Sequence, residues 1–248
     1  MEVLVEKIIK NEKNGVAKLA YQKYLRDLFY GRYEKAPVKK YRTLSVKELE
    51  EIESITREVL DQCEEKLPSI SSPITIYVLP WFPTDDDDMF NGVTGVTSWQ
   101  STFQILISSE NFSEQSLRET VAHEYNHAVF LCHHLPSNKT ILDSMVMEGL
   151  AEHFREEVVG GEKSPWSKAL SEKEVVESLK LIGDDLSTIN YQLHSDIFFG
   201  SDTYDRWTGY SAGYKIVESF LEKKRDSNWT KLMKMKPKDI FTQSFFDS

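Results

Sequence analysis

What this 248-residue sequence lacks narrows it first. It has only two cysteines, Cys63 and Cys132, so no multi-bridge disulfide framework holds it together. No run approaches the roughly 20 apolar residues that cross a bilayer, which argues against a membrane partner. The N-terminal MEVLVEKIIKNEKNG is interrupted by Glu2, Glu6 and Lys7, so no secretory apolar core forms. A cytoplasmic protein with reduced thiols is expected. Basic charge is also scarce. Against 40 acidic side chains stand 30 basic ones, a formal charge of -10 that disfavours nucleic acid or an anionic membrane as the main partner. Neither an internal repeat nor a Gly/Ser linker divides the chain, so one domain over 1–248 is expected.

The residues present are 40% hydrophobic and 12% aromatic, enough for a sizeable core. Residues 16–30 carry an apolar stripe at helical spacing. Ser45 and Glu48 make a capping-box pattern, and helical sequence then runs to Lys66 before Pro68 stops it. ITIYV (74–78) and FQILIS (103–108) read as strands around the turn-rich VTGVTSW. Helical patterns return over about 114–134, 140–158, 171–182 and 209–225. The order is helices, a small sheet, then helices. This predicts an α+β fold with a helical lobe over 1–70, a sheet and central helices over 71–160, and a helical lobe over 161–248. The acidic run Asp85–Asp88 fits a calcium loop poorly, because Met89 and Ser98 fall where oxygen ligands are required, and it reads as a solvated loop.

Four of the six histidines fall between 123 and 134. His123-Glu124-Tyr125-Asn126-His127 is an H-E-x-x-H sequence, expected by chance only about 0.015 times in such a chain. Ser116 and Glu119 announce its helix, and Leu117, Val121, Ala128 and Leu131 supply the apolar stripe. On a helix the two histidines lie about 40° apart and one turn along, so both imidazoles reach one ion. Glu124 falls about 60–100° from them, where a carboxylate touches a metal-bound water without binding the metal.

A catalytic zinc site needs a third protein ligand and one open position. His133 has metzincin spacing, but Phe130 stands where that pattern turns on a glycine, and a continuing helix points His133 about 120° away. His134 lies about 10 Å further along the axis. Both read as helix-end residues, and His153 as structural. Glu148 and Glu152 remain, four residues apart on one face of a second helix. One of them can ligate the metal while the other accepts a hydrogen bond from a ligand imidazole.

H-E-x-x-H followed after 20 intervening residues by Glu148-Gly-Leu-Ala-Glu152 resembles the gluzincin peptidases. Thermolysin-like enzymes carry E-x-x-x-D at a similar distance, and zinc aminopeptidases carry N-E-G-F-A-E-Y. With HEYNHAVF, MEGLAEHF and the later GYSAGYKIVESF, the chain is most similar, over roughly 70–225, to a family of predicted bacterial zinc-dependent proteases. The resemblance implies a zincin-like fold, a small mixed sheet above an active-site helix. It implies Zn2+ held by His123, His127 and Glu148, with Glu152 behind a ligand and Glu124 as general base. It also implies that a strand near 92–98 forms the sheet edge, with 103–108 inside it, Trp99 and Phe103 lying on a half-exposed face.

Peptide hydrolysis needs a donor for the developing oxyanion besides the metal. Tyr210 and Tyr214, four residues apart, are the candidates, with His194 and Tyr204 behind them. Packing against a neighbouring helix through Ala212 and Gly213 is the competing role for the tyrosines. The aminopeptidase signature Gly-x-Met-x-Asn has no match in the sheet region, which leaves endopeptidase action on a peptide or protein as the expectation. The alternatives are an inactive zincin-fold binding protein and a zinc hydrolase of a non-peptide substrate.

Overall fold

The computed structural model describes residues 7–10, 44–69, 74–80, 90–108, 110–134, 139–224 and 228–246. The helical stripe expected at 16–30 and the run Asp85–Asp88 lie outside the described residues. The fold is helix-rich with one small sheet, an α+β arrangement.

Strand β1 (Lys7–Lys10) precedes helix α1 (Val46–Lys66) and strands β2 (Thr75–Pro80), β3 (Val93–Trp99) and β4 (Thr102–Ile107). The sheet order is β1-β2-β4-β3, with β2 and β4 parallel and the two outer pairings antiparallel. The region 1–70 is therefore not helical throughout. β1 is too short, and its Lys-Ile-Ile-Lys too irregular, for a period-two signal to reveal it. β4 is the inner strand, and Phe103 to Ile107 are all buried, as expected for an apolar run covered on both faces. β3 forms an edge of the described sheet. Trp99 at its end is 44% exposed, whereas Phe103 is fully buried, so the two do not share the half-exposed face expected of them.

Helix α1 starts as its sequence dictates. The Ser45 hydroxyl accepts from the Glu48 N–H, and the Ser45 N–H donates to the Glu48 carboxylate at 2.7 Å. Helix α2 (Glu114–His133) starts differently from expectation: its cap is Ser113, which accepts from the Ser116 N–H at 3.1 Å, so Ser116 lies inside the first turn. Helix α3 (Ile141–Val159) is capped by Thr140 and Asp143. Then come α4 (Glu172–Ile182), a 3₁₀ turn (Gly183–Ser187), α5 (Tyr191–Phe199), α6 (Thr208–Lys223) and the short α7 (Trp229–Leu232) and α8 (Pro237–Thr242).

One core joins the sheet, α1, α2, α3 and α6 through residues such as Ile52, Val59, Phe103, Val121, Phe130, Leu150, Phe154 and Val217. Tyr125, on the side of α2 facing this core, donates its hydroxyl to the Leu67 carbonyl at 2.6 Å and so pins the end of α1. α3 and α6 nearly touch. A Cβ on Gly213 would collide with the Met145 carbonyl, and one on Gly149 with the Gly213 carbonyl. None of the described helices is long and apolar enough to cross a membrane.

Candidate metal centre

The H-E-x-x-H segment occupies the middle of α2, with Glu124 and His127 buried and His123 partly so. The two imidazole rings sit edge to face, their centroids 4.5 Å apart. Glu148, one turn below Glu152 on α3, places its Oε2 at 3.3 Å from His123 Nε2 and 3.4 Å from His127 Nε2. Donor atoms bonded to one tetrahedral zinc at about 2.0–2.1 Å lie about 3.3 Å from each other. The two nitrogens and the oxygen therefore already stand at the edge lengths such an ion imposes. These three residues form a possible metal-binding triad. Two neutral imidazoles and a carboxylate also suit zinc chemically.

Electrostatics agree with that use. Burial would raise the Glu148 pKa, but the charges of His127 and His123 and their hydrogen bonds hold it well below the usual carboxylate range. Burial alone would discourage protonation of His123, yet Glu148 and Glu152 together raise its pKa well above that of an ordinary imidazole. A site that attracts a proton so strongly attracts a dication for the same reason.

Behind the triad, Glu152 lies 3.0 Å from His123 Nδ1. It is buried, and it gathers a dense set of donors. Trp166 Nε1 reaches Oε1 at 3.0 Å, while Oε2 receives the hydroxyls of Ser164 (2.7 Å) and Ser167 (3.2 Å) and the Arg155 guanidinium. Burial opposes the charge, but His123, Arg155 and Ser164 overcome it and hold the Glu152 pKa at about 2. Arg155 itself is only 2% exposed and also donates to the Glu162 carbonyl at 2.8 Å. The sequence reading missed Arg155. Its signal was present: an Arg three residues after Glu152 on a helix lies within reach of that carboxylate.

Glu124 points at the sheet. Its Oε2 accepts from the Thr97 hydroxyl at 2.6 Å, and a Cβ added at Gly95 would collide with its side chain. Gly95 and Thr97 lie two apart on β3 and so share a face. Neither was singled out beforehand, although a glycine inside a strand often marks close approach of another group.

The other candidates separate clearly. Tyr210 belongs to the site region: burial, then the charges of Glu148, Glu124 and Glu152, push its hydroxyl well above the ordinary phenol range. Tyr214, the other candidate oxyanion donor, has different partners. Its hydroxyl donates to Glu156 at 3.0 Å and its ring stacks on His153 at 4.1 Å, so it serves the α3–α6 contact. Four residues on α6 should align the two tyrosines, but each ring leans to a different neighbour. Tyr204 feels Asp185 and Asp196 rather than the triad. His133 stands outside the triad, and His134 lies 2.9 Å from the Met233 carbonyl, as helix-end residues.

A family model described as Predicted Zn-dependent protease (DUF2268) matches residues 52–242. The chain belongs to this family. Two members of the similar set are uncharacterized proteins of Bacillus subtilis (strain 168). YjaZ is 28% identical over 143 residues, covering 53% of this chain and 52% of YjaZ. YjfC is 25% identical over 147 residues, covering 53% of this chain and 46% of YjfC. The chain thus spans about half the length of the curated relatives it matches. No solved structure matches it.

Proposed function

We propose that this member of the predicted zinc-dependent protease family is a peptidase with a zincin-like fold in a single domain. His123, His127 and Glu148 hold zinc, and Glu152 orients His123. The observation that carries the reading is the Glu148 carboxylate at 3.3 and 3.4 Å from the two Nε2 atoms. Bound zinc supplies a Lewis acid that polarises the carbonyl and makes water acidic enough to attack near neutral pH.

The chain's own residues do the rest. Glu124, held by Thr97, accepts the proton of the attacking water and returns it to the departing amine nitrogen. Tyr210 stays protonated in the field of three carboxylates and donates towards the carbonyl oxygen as negative charge grows there. β3 pairs with β4 on one side, and among the described residues no strand covers its other edge. An extended peptide adding to that edge would lie along the strand that carries Gly95 and Thr97, beside Glu124. This favours internal cleavage of a peptide or protein over removal of an N-terminal residue, in a cytoplasmic setting.

The test pairs zinc content with cleavage of casein and a peptide library for wild type and Glu124→Gln. We expect one zinc per chain in both proteins and at least a ~10³-fold loss of activity in the variant. Wild type that binds zinc and cleaves nothing would leave the binding-protein or non-peptide hydrolase alternatives standing instead. Wild type that binds no zinc would remove the site.

A further inference from the structure

Around the triad stands a half-buried cation, Lys139, that makes no ion pair among the described residues. Lys139 immediately precedes Thr140, the cap of α3. Its ammonium donates to Met147 Sδ at 3.6 Å, a weak acceptor, and among the described residues it makes no ion pair. The charges of Glu148 and then Asp143 reach it, but Glu148 faces the two imidazoles and Asp143 is engaged in capping, its Oδ2 accepting the Thr140 N–H at 2.9 Å. Burial accordingly loosens the lysine's hold on its proton. A lysine with only a packing role extends its ammonium into water while its stem covers apolar surface. This one ends on a thioether beside a charged site.

Its neighbours are just as unsatisfied. Glu148 is felt by both Lys139 and His194, and Lys139 is felt by His194, so the charges of the three act on one another. His194 stacks on Phe198 with centroids 4.2 Å apart, and the same Phe198 ring meets Tyr210 edge to face at 5.0 Å. Gly209 makes the platform possible, because a Cβ there would stand 2.7 Å from that ring. Neither the His194 ring nor the Tyr210 hydroxyl makes a hydrogen bond among the described residues. Phe198 thus holds two polar side chains that make no hydrogen bond among the described residues, beside an amine that makes no ion pair among them. A single ammonium is a compact point charge that one carboxylate oxygen can satisfy, and a peptide substrate offers carboxylates at its C-terminus and on acidic side chains.

We propose that Lys139, flanked by His194, binds a carboxylate of the peptide substrate, either its free C-terminus or an acidic side chain near the cleaved bond. The assignment deepens the peptidase reading and rests on it. Direct binding keeps the two separable. Calorimetry on zinc-loaded Glu124→Gln protein, with Lys139 intact or changed to Met, would use four blocked pentapeptides. One ends in a free carboxylate, one is its amide, and two are amides carrying Glu or Gln beside the central bond. We expect one carboxylate peptide to bind at least ~10-fold tighter than its neutral counterpart, and Lys139→Met to erase that ratio without changing neutral-peptide affinity or zinc content. Which pair shows the ratio identifies terminus or side chain. Lys139→Arg should keep part of it. Equal affinity for charged and neutral peptides, an unchanged ratio in Lys139→Met, or equal loss on all four would overturn the assignment. Binding with the expected ratio but no hydrolysis by wild type would count against the peptidase reading alone.

Discussion

The two sides of the triad are built on opposite principles. On one side Glu152 receives His123, Trp166, Ser164, Ser167 and Arg155, and nearly every polar atom is taken. On the other, Lys139 rests on a sulfur atom while the His194 ring and the Tyr210 hydroxyl make no hydrogen bond among the described residues. Donors satisfied inside the protein hold a ligand still. Donors left without a partner are free to meet a substrate. A second contrast lies within the triad itself: His123 Nδ1 is bonded to Glu152, whereas His127 Nδ1 is buried without a partner among the described residues.

The largest effect should come from breaking the crowded side. Glu152→Ala takes from Arg155 its closest carboxylate, leaving Glu119 and Glu156 at 3.6 and 3.7 Å, and strips Trp166, Ser164 and Ser167 of a shared acceptor. We therefore expect about 3–5 kcal/mol of lost stability in urea unfolding. Glu152→Gln keeps the shape and should weaken zinc about 10–100-fold, read by competition with a chromophoric chelator. Wild-type zinc affinity in both variants would mean that the Glu152–His123 contact does not orient the ligand.

The sparse side should answer in rate instead. Tyr210→Phe should lower kcat about 10²–10³-fold while zinc affinity and unfolding midpoint stay put. A variant that loses stability and keeps kcat would make Tyr210 a packing residue like Tyr214. Thr97→Val, which frees the Glu124 carboxylate, should cost roughly tenfold in kcat with zinc content unchanged.

The smallest effect concerns acid. Burial lowers the pKa of His133, His134, His153 and His194 below the ordinary imidazole value of 6.5. At these four sites the unfolded chain therefore binds more protons than the folded one near and below pH 6.5, and their contribution to stability falls as pH drops through that value. Urea midpoints of zinc-loaded protein at pH 7.5 and 5.5 should show the loss, and His194→Gln should reduce it. An unchanged midpoint would mean these histidines take up protons equally in both states.

Much of the site was legible because it is local. His123 and His127 share a helix face whatever surrounds them, and Glu148 and Glu152 repeat the same spacing on the next helix. The strands ITIYV and FQILIS and four long helices were legible for the same reason. Less visible were β1, whose four residues form a strand only by pairing with β2, and α5, which is short and has a weak apolar face. Gly95 offered a hint without a partner: only folding shows that Glu124 fills the space where a side chain would be.

The sequence by itself determined which residues could bind a metal, since ligand spacing along a helix follows from 3.6 residues per turn. Only the tertiary structure decided what each of them touches. It set Glu148 across from both imidazoles, Arg155 behind Glu152, Thr97 on Glu124, and Phe198 between His194 and Tyr210. It also turned Tyr214 to Glu156 and left Lys139 without an ion pair among the described residues. Those contacts join residues far apart in the chain, and they depend on how helices and strands pack rather than on any local period.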